Sequence, residues 1–152
     1  MTEAVLSPEQ ALADAAADAM WSRDAAAHAL GMERIEVTPG HATLRMVVWP
    51  DMVNGHHICH GGLIFTLADT AFAYACNSYN FNTVASACHI DFLAPGREGD
   101  LLEARAIERS AGGRTGVYDV TVSVVGGKTV ALFRGKSARI KGEVTTSFAS
   151  HG

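Results

Sequence analysis

The sequence predicts an α+β fold: an antiparallel sheet wrapped around one buried central helix, with a helical extension at the N-terminus. Three features point to it. Residues 61–78 read as a helix that is apolar nearly all round, which belongs inside a protein. Residues 84–140 hold four alternating strand patterns joined by short glycine turns, the signature of antiparallel pairing. The first thirty residues are alanine-rich and strongly helix-forming.

Ser7-Pro8-Glu9-Gln10 has the layout of a capping box, with Pro8 at the first helical position and Gln10 three residues after Ser7. The helix so begun runs toward Leu30 and stops at Gly31, and Ser22 offers a restart that would make two short helices of it. Residues 31–49 change to alternation: Ala42, Leu44, Met46 and Val48 share one face, and Pro39-Gly40 makes the hairpin turn before them. Residues 51–60 form a polar loop without periodicity. In the next strand Val84, Ser86, Cys88, Ile90 and Phe92 alternate with Ala85, Ala87, His89 and Asp91. Residues 101–109 follow, turning at Gly112-Gly113. Tyr118, Val120, Val122 and Val124 mark the third strand, and Gly126-Gly127 leads into a fourth over 129–140. The expected organisation is a helical segment over 1–30, one domain over 31–140 and a loose polar tail over 141–152.

Composition narrows the function classes. No apolar stretch approaches the roughly 20 residues needed to cross a bilayer, and the acidic N-terminus lacks the layout of a secretory signal. Three cysteines without a C-x-x-C spacing argue against a disulfide framework and for buried thiols in a reducing, cytoplasmic setting. A net charge of −4 without runs of like charge makes nucleic acid a poor partner. Charged residues are 18% of the chain, against about 25% in a typical soluble domain, so some surface is expected to be buried in an oligomer.

Asp69 stands in the middle of the most apolar helix, where an ionised carboxylate without partners costs several kcal/mol. Either hydroxyls or backbone amides satisfy it, or its desolvation serves chemistry. His60-Gly61-Gly62 opens the same helix. Glycines there admit a substrate to the backbone, and the first turn offers unpaired N–H groups with the positive end of the helix dipole behind them. That is a receptor for a developing oxyanion. Gly61 and Asp69 lie eight residues apart, about 12 Å along a helix. A base or nucleophile and its oxyanion donors must both stand about 3 Å from the reacting group. One helix cannot supply both to the same substrate, so if both are catalytic Asp69 meets the helix start of a second subunit, in a dimer with the site at its interface.

His56, His57, Cys59 and His60 crowd one loop, but their spacing fits no standard zinc pattern, and adjacent Cys59 and His60 are poorly placed as a nucleophile–base pair. His28, His41, His89 and His151 belong to no constellation. Asn54-Gly55 reads as a turn whose amide can orient a carbonyl or a water. Arg134 and Lys136, on one side of the last strand, and Arg97, Arg114 and Arg139, near turns or strand ends, are candidates for holding phosphates.

Asn54-Gly55, His60-Gly61-Gly62 and Asp69-Thr70-Ala71, at these spacings, resemble the hot-dog-fold acyl-CoA thioesterases. The run from Cys59 through Ser78 is similar to their phenylacetate-degradation (PaaI) family. The likeness continues through residues 85–93, 115–119 and 129–137. It implies the hot-dog fold, a dimer or dimer of dimers, and no cofactor or metal. Carried over by position, Asp69 is the nucleophile or the general base. Gly61, with Gly62 beside it, donates to the thioester oxygen from the partner subunit. His60 shapes that donor site, and Asn54 places the carbonyl or water. The implied substrates are arylacetyl-CoA thioesters, especially ring-hydroxylated ones. Two other functions on this fold are an acyl-CoA-binding regulator without catalysis and a dehydratase relying on a histidine, which leaves Asp69 unexplained.

Overall fold

A computed structural model describes residues 5–146. The Ser7 hydroxyl accepts from the Gln10 N–H at 3.1 Å and caps α1 (Pro8–Trp21). Gln10 does not reach back to complete the box. Its amide donates instead to Asp14 and to the Val37 carbonyl on the neighbouring strand. The N-terminal segment is indeed two helices, but the second, α2 (Ala25–Ala29), is capped by Asp24 rather than Ser22. The Ser22 hydroxyl is turned back onto the Ala19 carbonyl, which removes it as a cap.

Six antiparallel strands are described, in chain order β1 (Glu33–Thr38), β2 (His41–Val47), β3 (Phe81–Phe92), β4 (Leu101–Gly112), β5 (Thr115–Val124) and β6 (Thr129–Glu143). Their spatial order is β1-β2-β4-β5-β6-β3, so β1 and β3 are the edges. The central helix α3 (Gly61–Cys76) lies in the hollow of this twisted sheet. Its Ile64, Leu67, Ala68, Ala71 and Phe72 pack on Leu44, Met46, Leu102, Ala104, Val120 and Phe133, all buried. Gly135 has no side chain because Phe72 occupies the space: a Cβ there would lie 2.8 Å from the ring.

Four expectations need correction. First, α3 is not covered all round: Thr66, Asp69, Thr70 and Ala73 are only half-buried and Gly62 is exposed. The sheet and the N-terminal helices reach the rest of the helix but not this strip. Second, the alternation along β3 breaks at Ser86. This residue is an extra one between the pairs Ala85–Ser137 and Ala87–Lys136, and its hydroxyl donates to the Lys136 carbonyl. A bulge reverses the faces on either side of it, so Val84 and Cys88 point to opposite sides. Third, Cys88 is exposed on this edge strand, whereas Cys59 and Cys76 are buried; all three thiols are free. Fourth, the chain is ordered beyond Lys141. β6 runs to Glu143, Val144 is buried, and Asn80 binds Thr145. Residues 1–4 and the end of the expected tail, 147–152 with His151, lie outside the described residues. Among the described residues no helix is long and apolar enough to cross a membrane.

Candidate active site

The loop before α3 is built to leave donors open. Cys59 N–H donates to the Gly96 carbonyl, which ties the loop to another segment, and His60 N–H donates to the Met52 carbonyl, which closes the loop on its own start. His60 then takes the N-cap position, with its ring making no capping bond. Leu63 and Ile64 donate back to the His60 carbonyl, whereas Gly61 and Gly62 N–H have no acceptor among the described residues. Two amide protons therefore stand free at the positive end of a sixteen-residue helix.

Asn54 is held by its own loop. Its side-chain oxygen accepts from His56 N–H at 2.9 Å and Ile58 N–H at 3.4 Å, and its backbone N–H donates to the Ile58 carbonyl. The oxygen is spent on the turn, and the NH2 group remains to donate outward. Asn54 and Gly61 line one groove of about 390 Å³ with Ile58, Ile64 and residues 92–95. Phe92 is its aromatic wall and was not singled out from sequence, where it read only as one more apolar strand residue.

Asp69 sits two turns along α3 on the uncovered strip. The hydroxyls that could have satisfied it are engaged elsewhere: Thr66 donates to the Gly62 carbonyl and Thr70 to that of Thr66. Among the described residues its carboxylate has no hydrogen bond or ion pair. Burial alone pushes its carboxyl above the ordinary aspartate range. A half-buried, unpartnered carboxylate with a raised pKa is suited to accept a proton or to attack a carbonyl.

Cys59 is a poor nucleophile here, because burial pushes its thiol up to about 11. Among the described residues no three His, Cys, Asp or Glu side chains converge as a metal-binding group.

The basic candidates separate into two places. Arg134 and Lys136 lie exposed on the outer face of the sheet, away from α3. Arg134 is held there by Asp119, to which it donates twice, at 2.7 and 3.0 Å. Arg114 shares a pocket of about 530 Å³ with Phe81, Arg139 and Lys141. The Arg139 guanidinium lies 4.1 Å above the Phe81 ring, and the Arg139 N–H donates to the Arg114 carbonyl. None of these three cations has a carboxylate partner among the described residues. Lys141 escaped sequence analysis because it falls where the polar tail was expected to begin.

A central helix wrapped by an antiparallel sheet is the hot-dog fold of the thioesterases. The chain belongs to the thioesterase superfamily, whose model matches residues 56–131. It is 56% identical over 129 residues to the acyl-coenzyme A thioesterase PaaI of Escherichia coli K12, covering 85% of this chain and 92% of that one. The structure of the E. coli PaaI protein, from the phenylacetic acid degradation operon, matches with a TM-score of 0.87 at 54% identity, over 88% of this chain and 97% of that one. A point mutant of the phenylacetic acid degradation protein PaaI from Thermus thermophilus matches at 0.72 with 38% identity, over 75% and 97%. A Streptococcus mutans protein bound to acetyl-CoA matches at 0.70 with 28% identity, over 74% and 90%.

Proposed function

We propose that the protein hydrolyses acyl-CoA thioesters, above all phenylacetyl-CoA and its ring-hydroxylated forms, at sites shared between the two subunits of a dimer. The observation behind this is the separation on α3 of free Gly61 and Gly62 N–H groups from the unpartnered Asp69, about 12 Å along one helix. The two ends meet only when a second α3 lies alongside in the opposite direction. The uncovered strip of α3 and the exposed Phe81 and Phe92 on edge strand β3 supply a surface for that second copy. The names of the relatives from phenylacetic acid degradation support the aryl preference, and the acetyl-CoA-bound relative supports the CoA ester.

In this mechanism the thioester oxygen points at Gly61 N–H of one subunit, with Gly62 N–H and the Asn54 NH2 group beside it. Asp69 of the partner subunit attacks the carbonyl carbon, or takes a proton from a water that does. The electron pair of the C=O bond moves onto oxygen, where the helix-start amides stabilise it. Collapse breaks the C–S bond and expels the CoA thiolate. If Asp69 attacked, a water then cleaves its mixed anhydride to free acid; if water attacked, the acid forms directly and the proton on Asp69 passes to the thiolate. His60 borders the donors. Cytoplasmic location and a dimer of dimers complete the proposal.

The CoA phosphates fit the pocket of Arg114, Arg139 and Lys141. Phe81 and Phe92 end the same strand, roughly 35 Å apart at about 3.3 Å per residue. The phosphate pocket therefore serves the partner's thioester groove, since antiparallel pairing of two β3 strands sets Phe81 of one near Phe92 of the other. Arg134 and Lys136, on the outer face, have no part in this arrangement.

The test is CoA release from a panel running from phenylacetyl and hydroxyphenylacetyl to short and long aliphatic thioesters, followed by thioester absorbance. Turnover with an aryl preference is expected. Tight binding without turnover of any thioester would make the protein a binding module.

A further inference from the structure

We propose that Asn80 is a positioning residue for the nucleotide end of the substrate: its side-chain amide holds the end of β6 where Arg139 and Lys141 join Arg114. This rests on the reading of those three cations as the phosphate cradle.

Asn80 is buried and has φ +70°, a left-handed conformation that few residues other than glycine and asparagine adopt cheaply. Its side-chain oxygen accepts from Thr145 N–H at 2.9 Å, and its NH2 group donates to the Thr145 carbonyl at 3.0 Å. Its own carbonyl accepts from Val144 N–H at 3.0 Å. One residue thus makes three bonds to a segment 65 positions away.

That segment needs an anchor. Between the pairs Thr83–Arg139 and Phe81–Glu143, β3 spans two residues while β6 spans four. The surplus forms a bulge over 140–142 with Lys141 at its centre and Gly142 at φ +93°. A bulge re-aims its side chains and weakens the ladder locally. Inside it, the Asn82 side chain donates to the Lys141 carbonyl at an exposed position. The Asn80 bonds close the bulge from its far end. On the other side of Phe81, Asn77 ties Thr83 to the end of α3, donating to the Thr83 carbonyl and accepting from its N–H. Two asparagine clamps therefore bracket the ring on which Arg139 rests.

The experiment compares an acyl-CoA with the same acyl group on N-acetylcysteamine, which carries no phosphate. Asn80→Gly accepts φ +70° without strain and removes only the amide. It should raise KM for the acyl-CoA about tenfold, the worth of a displaced charge-assisted contact, and leave kcat and the cysteamine KM unchanged. Asn80→Asp keeps the acceptor and loses the donor, so it should fall between; it carries the test alone if the glycine variant does not fold. An unchanged acyl-CoA KM, or an equal loss of kcat on both substrates, would overturn the proposal. Arg114→Ala with Arg139→Ala separates it from its premise. If the double variant raises the acyl-CoA KM and Asn80→Gly does not, the cradle stands and Asn80 has no part in it. If neither does, both fall.

Discussion

Phe92 closes over Gly61: a Cβ built on Gly61 would lie 3.1 Å from the Phe92 ring. The strand end and the helix start are in contact across the groove, so the free amide of Gly61 and the aromatic wall are parts of one surface. Gly61→Ala keeps the N–H but forces the ring or the helix start to shift. We expect kcat/KM to fall by about 10²-fold, the scale of a misplaced oxyanion donor. Phe92→Ala in the same background should recover part of that loss. No recovery would mean that the methyl group acts on something other than the ring.

Asp69→Asn should abolish turnover while keeping the fold. In the wild type, activity should rise with pH through the Asp69 pKa, with a midpoint above the ordinary aspartate value of about 3.9. A pH–rate profile flat through the acid range would remove Asp69 as the base.

The same shift makes a stability prediction. A carboxyl whose folded pKa is raised binds its proton more tightly in the folded state. Its contribution to stability is complete below the unfolded pKa and is lost as pH rises through the folded one. Asp69→Asn cannot ionise, so it should melt above the wild type at neutral pH, and the gap should close in acid. Scanning calorimetry at about pH 7 and at about pH 3, the latter below the unfolded pKa of about 3.9, reads both.

Mixing Asp69→Asn with an inactive Gly61 variant tests the shared site. Random reassembly makes half of the dimers mixed, and each mixed dimer has one intact site. Activity should return to about a quarter of the wild-type level. No recovery from subunits shown to exchange would place both residues of a working site in one chain.

Tyr74 donates to Asp24 at 3.1 Å and stacks edge-on against Trp21, joining α3 to the N-terminal helices. Tyr74→Phe should cost about 1 kcal/mol, the worth of one such bond. Gly135→Ala should cost about 1–3 kcal/mol through overpacking against Phe72. Denaturant unfolding of each variant measures both.

The element order, the hairpin at Pro39-Gly40, the cap at Ser7 and the helix that carries Gly61 and Asp69 were all legible in the chain alone. Caps, turns and periodicity are local, and an apolar helix interrupted by one carboxylate is visible without knowing its neighbours. The expectation of a second subunit could be drawn there too, because a helix has a fixed rise. Which side of the sheet each cation takes became clear only in three dimensions. Arg134 is paired with Asp119 on the outer face, while Arg139 and Lys141 meet Arg114 across a hairpin end. The bulge at Ser86 reverses the strand alternation without any signal in residue type, because parity depends on the register with β6. The uncovered strip of α3 is likewise a matter of how far the sheet reaches. The ordered end of β6 depends on Asn80, 65 residues from Thr145, and no window along the chain contains both halves of that contact.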